Sequence, residues 1–177
     1  EERAARRAIE AAVERAAWLT GLSPAHAEEC QVVHYTPGQE YRDHVDYFSS
    51  ADERVFERMG AAGNRVVSVL VYLSCAAEGG ETQFTSLGLR VTPTPCTALL
   101  WHNFDRKGVL DRRTLHCGRP VLAGEKWGMN IWFRQRPLTP LQAGAERPPA
   151  PWTVQPPTQT MPSRAAIEST SLRERCG

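Results

Sequence analysis

The chain has 177 residues, 41% hydrophobic and 23% charged, with a formal net charge of +1. That length allows one domain with a real core and excludes a comfortable second one. The near-neutral charge demands neither nucleic acid nor a membrane surface as partner. No apolar run is long enough to span a bilayer or to read as a signal peptide. The chain starts at Glu1 without an initiator methionine, which predicts a fragment or a processed form.

Glu1 to about Thr20 predicts a helix. Ala5, Ile9, Ala12, Val13, Ala16 and Leu19 recur at helical spacing, with Arg and Glu on the other face. Gly21 is its stop, and Ser23-Pro24 opens a new segment. Gln31 to Tyr35 is a short β-prone run closed by the turn signal Thr36-Pro37-Gly38. Ser49 to Asn64 is polar, charged and rich in Gly and Ala. A loop that long in a compact domain is usually functional or disordered, and this one is a candidate lid. Val66 to Leu73 is β-branched and apolar, which predicts a buried central strand followed by a turn at Glu78-Gly79-Gly80-Glu81. Leu89 to Val91, Thr97 to Trp101, Val121-Leu122 and Trp127 to Phe133 continue the series of strands. The predicted fold class is mainly β with a flanking N-terminal helix, a barrel or double-sheet jelly roll over residues 1–136. Residues 137–177 hold eight of the 13 prolines and lose apolar periodicity, which predicts a disordered or extended tail. The five cysteines (Cys30, Cys75, Cys96, Cys117 and Cys176) form no CxxC pair, so mostly free, buried thiols are expected.

The chemistry is carried by four residues. His44-Val45-Asp46 is an HxD pair, His116 lies far downstream, and Lys126 follows it. A lone HxD triplet arises often by chance. On a strand, however, positions i and i+2 point to one side, so His44 and Asp46 can face a barrel interior together. Two histidines and a carboxylate are the facial triad of a non-haem Fe(II) oxygenase, which leaves coordination positions open for a co-substrate and O2. His102, at the end of the Trp101 strand, is the alternative second histidine, while His26 and His34 read as ordinary surface or core residues. Lysine is usually solvated. A buried Lys126 would need a carboxylate partner, and a dianionic co-substrate supplies one.

Several segments resemble the catalytic domain of prolyl 4-hydroxylases, in order and with sensible spacing over roughly residues 9–134. They are Gln31 to Phe48, Val71-Tyr72-Leu73-Ser74, Gly79-Gly80-Glu81-Thr82, Leu115 to Val121, and Gly124-Glu125-Lys126-Trp127 with Trp132. The resemblance implies a double-stranded β-helix that binds Fe(II) through His44, Asp46 and His116. It also implies 2-oxoglutarate and O2 as co-substrates and L-ascorbate as helper. Lys126 would pair with the far carboxylate of 2-oxoglutarate, with Tyr35 donating a second hydrogen bond and Thr82 lining the pocket. Tyr41, Trp132 and Arg134 match positions that face a proline-rich peptide, with core packing as the alternative for Tyr41 and Trp132. Many relatives use arginine where this chain has Lys126. Lysine resembles the collagen-type and the plant- or alga-type enzymes, and the two cations are not interchangeable at a carboxylate site.

The reaction so implied is hydroxylation of peptidyl proline at C4, with release of succinate and CO2. The same oxygenase chemistry on another residue type or a small molecule, and a non-catalytic peptide-binding relative, stay open. The family favours the ER or Golgi lumen, and the oligomeric state is left open. The chain departs from the family at Pro95-Cys96-Thr97, at Cys117 and at Arg134.

Overall fold

A computed structural model describes residues 1–49 and 54–138. The predicted tail lies outside the described residues from 139 onward, and so do residues 50–53 of the predicted lid. Helix α1 spans Glu2–Thr20 and ends where Gly21 turns left-handed at φ 69°, its N–H donating to the Ala17 and Trp18 carbonyls. The helix docks by its C-terminal half. Ala16 and Ala17 are buried, and Ala12 and Val13 pack against them. Ile9 is exposed, and Leu19, expected on the apolar face, is 63% exposed. Small alanines let the helix backbone approach the sheet closely. The larger Leu19 falls just past that contact.

Ten strands follow: β1 (Gln31–Tyr35), β2 (Tyr41–His44), β3 (Arg65–Tyr72), β4 (Glu78–Gly79), β5 (Thr82–Phe84), β6 (Leu89–Val91), β7 (Thr97–His102), β8 (His116–Gly118), β9 (Val121–Ala123) and β10 (Lys126–Arg134). They form two four-stranded antiparallel sheets, β1-β10-β3-β7 and β2-β8-β5-β6, with β4 and β9 paired separately. This is the jelly-roll core. The turn expected at 78–81 therefore begins as a short strand. The polar segment 49–64 is not all loop, because Val55–Met59 forms a helix, α2.

The central strands are buried on both faces. On β10, Met129, Ile131 and Phe133 enter a core with Val67, Val69, Ala16 and Ala17. Lys126, Asn130 and Trp132, at alternate positions, face the cleft between the sheets. That double covering explains why β3 is apolar at most positions, with Ser68 the polar exception in its middle. Among the described cysteines, Cys30, Cys75 and Cys117 are free and Cys96 is disulfide-bonded. Of the free thiols only Cys117 is buried, while Cys75 is exposed, so the expected burial fails there.

Candidate metal and co-substrate site

His44 closes β2 and His116 opens β8, and the two are cross-strand partners. Asp46 sits in the bend just beyond β2, so the pair does not share one regular strand as expected. The bend still turns Asp46 inward, where it is 7% exposed. Asp46 Oδ1 lies 3.6 Å from His44 Nε2 and 3.9 Å from His116 Nε2. One donor atom from each of the three residues falls within 4.8 Å of the others, and this is the only such group among the described residues. His102 is exposed and stands outside it.

The ring tautomers follow from the backbone. His44 Nδ1 lies 2.7 Å from the Arg42 carbonyl, and His116 Nδ1 lies 2.8 Å from the Thr114 carbonyl. A carbonyl only accepts, so each Nδ1 carries the proton and each Nε2 lone pair is free to bind a metal. Burial, helped by the neighbouring His116, lowers the His44 pKa from its ordinary value and favours the neutral ring. Two imidazole Nε2 atoms and a carboxylate, converging from a wall of the cleft, suit a divalent transition metal such as Fe(II).

Lys126 lies across the same cleft and is 4% exposed. Its Nζ donates to the Gly80 carbonyl at 2.6 Å and sits 5.7 Å and 5.6 Å from the Tyr35 and Tyr72 ring centroids. Burial pulls its pKa down to about 8, with Glu81 opposing. Tyr35 is the cross-strand partner of Lys126, and burial raises its pKa, so its hydroxyl remains a donor. Thr82 is buried in the cleft and accepts from the Tyr72 hydroxyl at 2.8 Å.

Tyr41 and Trp132 also line the cleft. Tyr41 is 53% exposed with its ring 3.8 Å from that of His44, which rules out core packing for it. Arg134 corrects an expectation. It shares the sequence parity of Lys126 and Trp132, but the β10–β3 register shifts between Phe133 and Arg134. Its side chain is buried away from the cleft, bonded to the Arg58, Met59 and Gly63 carbonyls and to Glu28.

Sequence reasoning missed three contributors. Tyr72 holds Thr82. Trp101 packs edge-on against His116, with ring centroids 4.8 Å apart. Gly80, at φ 74°, presents its carbonyl to Lys126. The signal for Gly80 was visible in the Gly79-Gly80 pair, which marks backbone that L side chains disfavour. The site is also not the roomiest concavity, since larger grooves of about 640 and 690 Å³ lie along α1 and beside Val45 and Leu115.

Comparison with known proteins settles the family. Residues 30–134 match the 2OG-Fe(II) oxygenase superfamily. The chain belongs to that superfamily. This oxygenase is 39% identical over 118 residues to human prolyl 4-hydroxylase subunit alpha-1, a match spanning 67% of this chain and 22% of that protein. It is 41% identical over 123 residues to human prolyl 4-hydroxylase subunit alpha-3, spanning 68% of this chain and 22% of that one. It thus covers about a fifth of the length of these curated relatives. Among solved structures, the viral collagen prolyl hydroxylase of Paramecium Bursaria Chlorella virus-1, in complex with 2OG, is 34% identical with a TM-score of 0.52, over 61% of this chain and 58% of that one.

Proposed function

We propose that this oxygenase hydroxylates C4 of peptidyl proline, consuming 2-oxoglutarate and O2 and releasing succinate and CO2. The observation that carries the reading is one cleft with a His-Asp-His donor set on one wall and a buried lysine ammonium opposite. The names of the similar proteins supply the proline target.

His44, Asp46 and His116 would hold Fe(II), which when bound supplies the activation of O2 and of the keto acid. The protein's own part is binding and positioning. Lys126 pairs with the far carboxylate of 2-oxoglutarate, which gives the buried ammonium an anionic partner. Tyr35 donates a second hydrogen bond to that carboxylate, and Thr82, held by Tyr72, shapes the pocket floor. Tyr41 and Trp132 at the mouth offer flat aromatic faces to a proline-rich peptide. They would orient the proline ring toward the metal ligands and keep competing reactants out. L-ascorbate would be the reductant that keeps a bound Fe(II) reduced, and proline-rich chains passing through the ER or Golgi are the substrate population this reading favours.

The test is incubation with Fe(II), 2-oxoglutarate, ascorbate and poly-proline, collagen-like and Ser-Pro-rich peptides, followed by mass spectrometry. A one-oxygen gain on proline, absent in His116→Ala, is the expected result. Succinate formed without that gain would move the reaction to another target, and the absence of both products would overturn the catalytic reading of this cleft.

A further inference from the structure

Arg134 has a different task from the one its position in the sequence suggested. Its Nη2 donates to the carbonyls of Arg58 at 3.1 Å, Met59 at 2.5 Å and Gly63 at 2.6 Å. Its Nε reaches the Gly63 carbonyl at 2.8 Å, and its Nη1 reaches Glu28 at 3.2 Å. One buried guanidinium therefore gathers the last two carbonyls of α2 and the Gly63 carbonyl in the turn before β3. The next residues extend the attachment. Gln135 Oε1 accepts from the Asn64 N–H at 2.8 Å, and Arg136 donates to the Ala61 carbonyl at 2.7 Å.

The attachment leads to the cleft by two routes. The Asn64 side chain bonds both the N–H and the carbonyl of Phe48 at 2.8 Å, two residues after Asp46. Glu28 also takes a bidentate pair of hydrogen bonds from Arg65, both at 2.8 Å, and the Arg65 guanidinium lies 3.8 Å from the Trp132 ring centroid. Arg65 and Arg134 each stand 5.1 Å from the Phe48 ring centroid.

We propose that Arg134 is a positioning residue that latches residues 58–63 to the end of β10 and, through Glu28, Arg65 and Asn64, sets the Trp132 wall of the cleft. The planar fork is what the job requires, because a single ammonium cannot span carbonyls and a carboxylate lying in different directions. The consequence for turnover rests on the peptide-hydroxylase reading, whereas the latch itself does not.

The experiment has two arms. In the first, the substrate-free protein is digested with trypsin and cleavage after Arg58, whose carbonyl the latch holds, is followed by mass spectrometry. Arg134→Gln is expected to speed that cleavage on the order of tenfold while Co(II) binding stays as in the wild type, because a freed segment opens more often. In the second arm, the KM for a poly-proline peptide rises on the order of tenfold with kcat little changed. Gly63→Ala is the independent variant. Its Cβ would stand 2.4 Å from Gln135 Oε1 at φ 75°, so it opens the same latch with Arg134 intact. Cleavage at the wild-type rate in both variants overturns the latch. Faster cleavage with an unchanged peptide KM overturns the link to Trp132. Failure of the wild type to act on any proline peptide leaves the first arm standing and falls on the function alone.

Discussion

The Lys126 ammonium donates a 2.6 Å hydrogen bond to the Gly80 carbonyl, and Glu81 is the carboxylate that favours its charged form against burial. A buried cation with one neutral acceptor is a poor resting state and a good anion receptor. Burial holds its pKa at about 8, so the free cleft carries the charge below that pH and loses it above. A bound carboxylate favours the charged form. Affinity for 2-oxoglutarate should therefore be flat below the pKa and fall as pH rises through it, approaching tenfold per unit at the high end. Calorimetric titration of 2-oxoglutarate into Co(II)-loaded protein from about pH 6.5 to 9.5 checks this. A flat profile would remove Lys126 from the binding site.

Lys126→Met keeps the apolar stem and deletes the charge. It should weaken 2-oxoglutarate on the order of 10–100-fold, the value of a charge-assisted hydrogen bond, and abolish the pH dependence. Lys126→Arg should not rescue, because the Lys126 Cδ already lies close to Gly80 and a longer, planar head has no matching fork there.

For the metal, His44→Ala, Asp46→Ala and His116→Ala should each lower Co(II) affinity by more than about 100-fold, beyond what loss of an outer hydrogen bond costs. His102→Ala should leave it unchanged, since that residue is exposed and outside the cluster. Cobalt absorption titrations read both, and a His102 effect equal to that of His116 would reassign the second histidine.

Tyr72→Phe removes the 2.8 Å bond to Thr82, and both residues are almost wholly buried. The unpaired Thr82 hydroxyl should cost about 1–3 kcal/mol in urea unfolding. Tyr72→Phe combined with Thr82→Val should cost less than the sum of the single changes. Strict additivity would show that the hydrogen bond is energetically idle.

The core contacts make a contrasting pair. Phe133 is 0% exposed beneath α1, so Phe133→Ala should lose about 3–5 kcal/mol. Leu19, at 63% exposure, should tolerate Leu19→Ala within about 0.5 kcal/mol. A large loss at Leu19 would mean that the helix docks by the face its periodicity first indicated.

Much of this was legible in one dimension. The helix and its Gly21 stop, the β3 run and the strand opening at Lys126 are local patterns, and local propensity and periodicity report them directly. His44, Asp46, His116 and Lys126 could likewise be singled out as candidates, because few residue types bind a metal or a carboxylate. What was not legible depends on how strands pair. The inward turn of Asp46 comes from a bend after β2, and the burial of Arg134 follows a register shift that its alternation with Trp132 concealed.

By itself, then, the sequence determined the class of fold and singled out the candidate donors, since both are properties of residue type and short-range spacing. Only the tertiary structure decided which histidine meets Asp46, that Gly80 holds Lys126 and Tyr72 holds Thr82 in the cleft, and that the Arg134 side chain bonds residues 58–63. The physical reason is that strand pairing joins residues far apart in the chain, as His44 joins His116, and that a one-residue register shift, as before Arg134, turns a side chain without leaving any trace in composition or period.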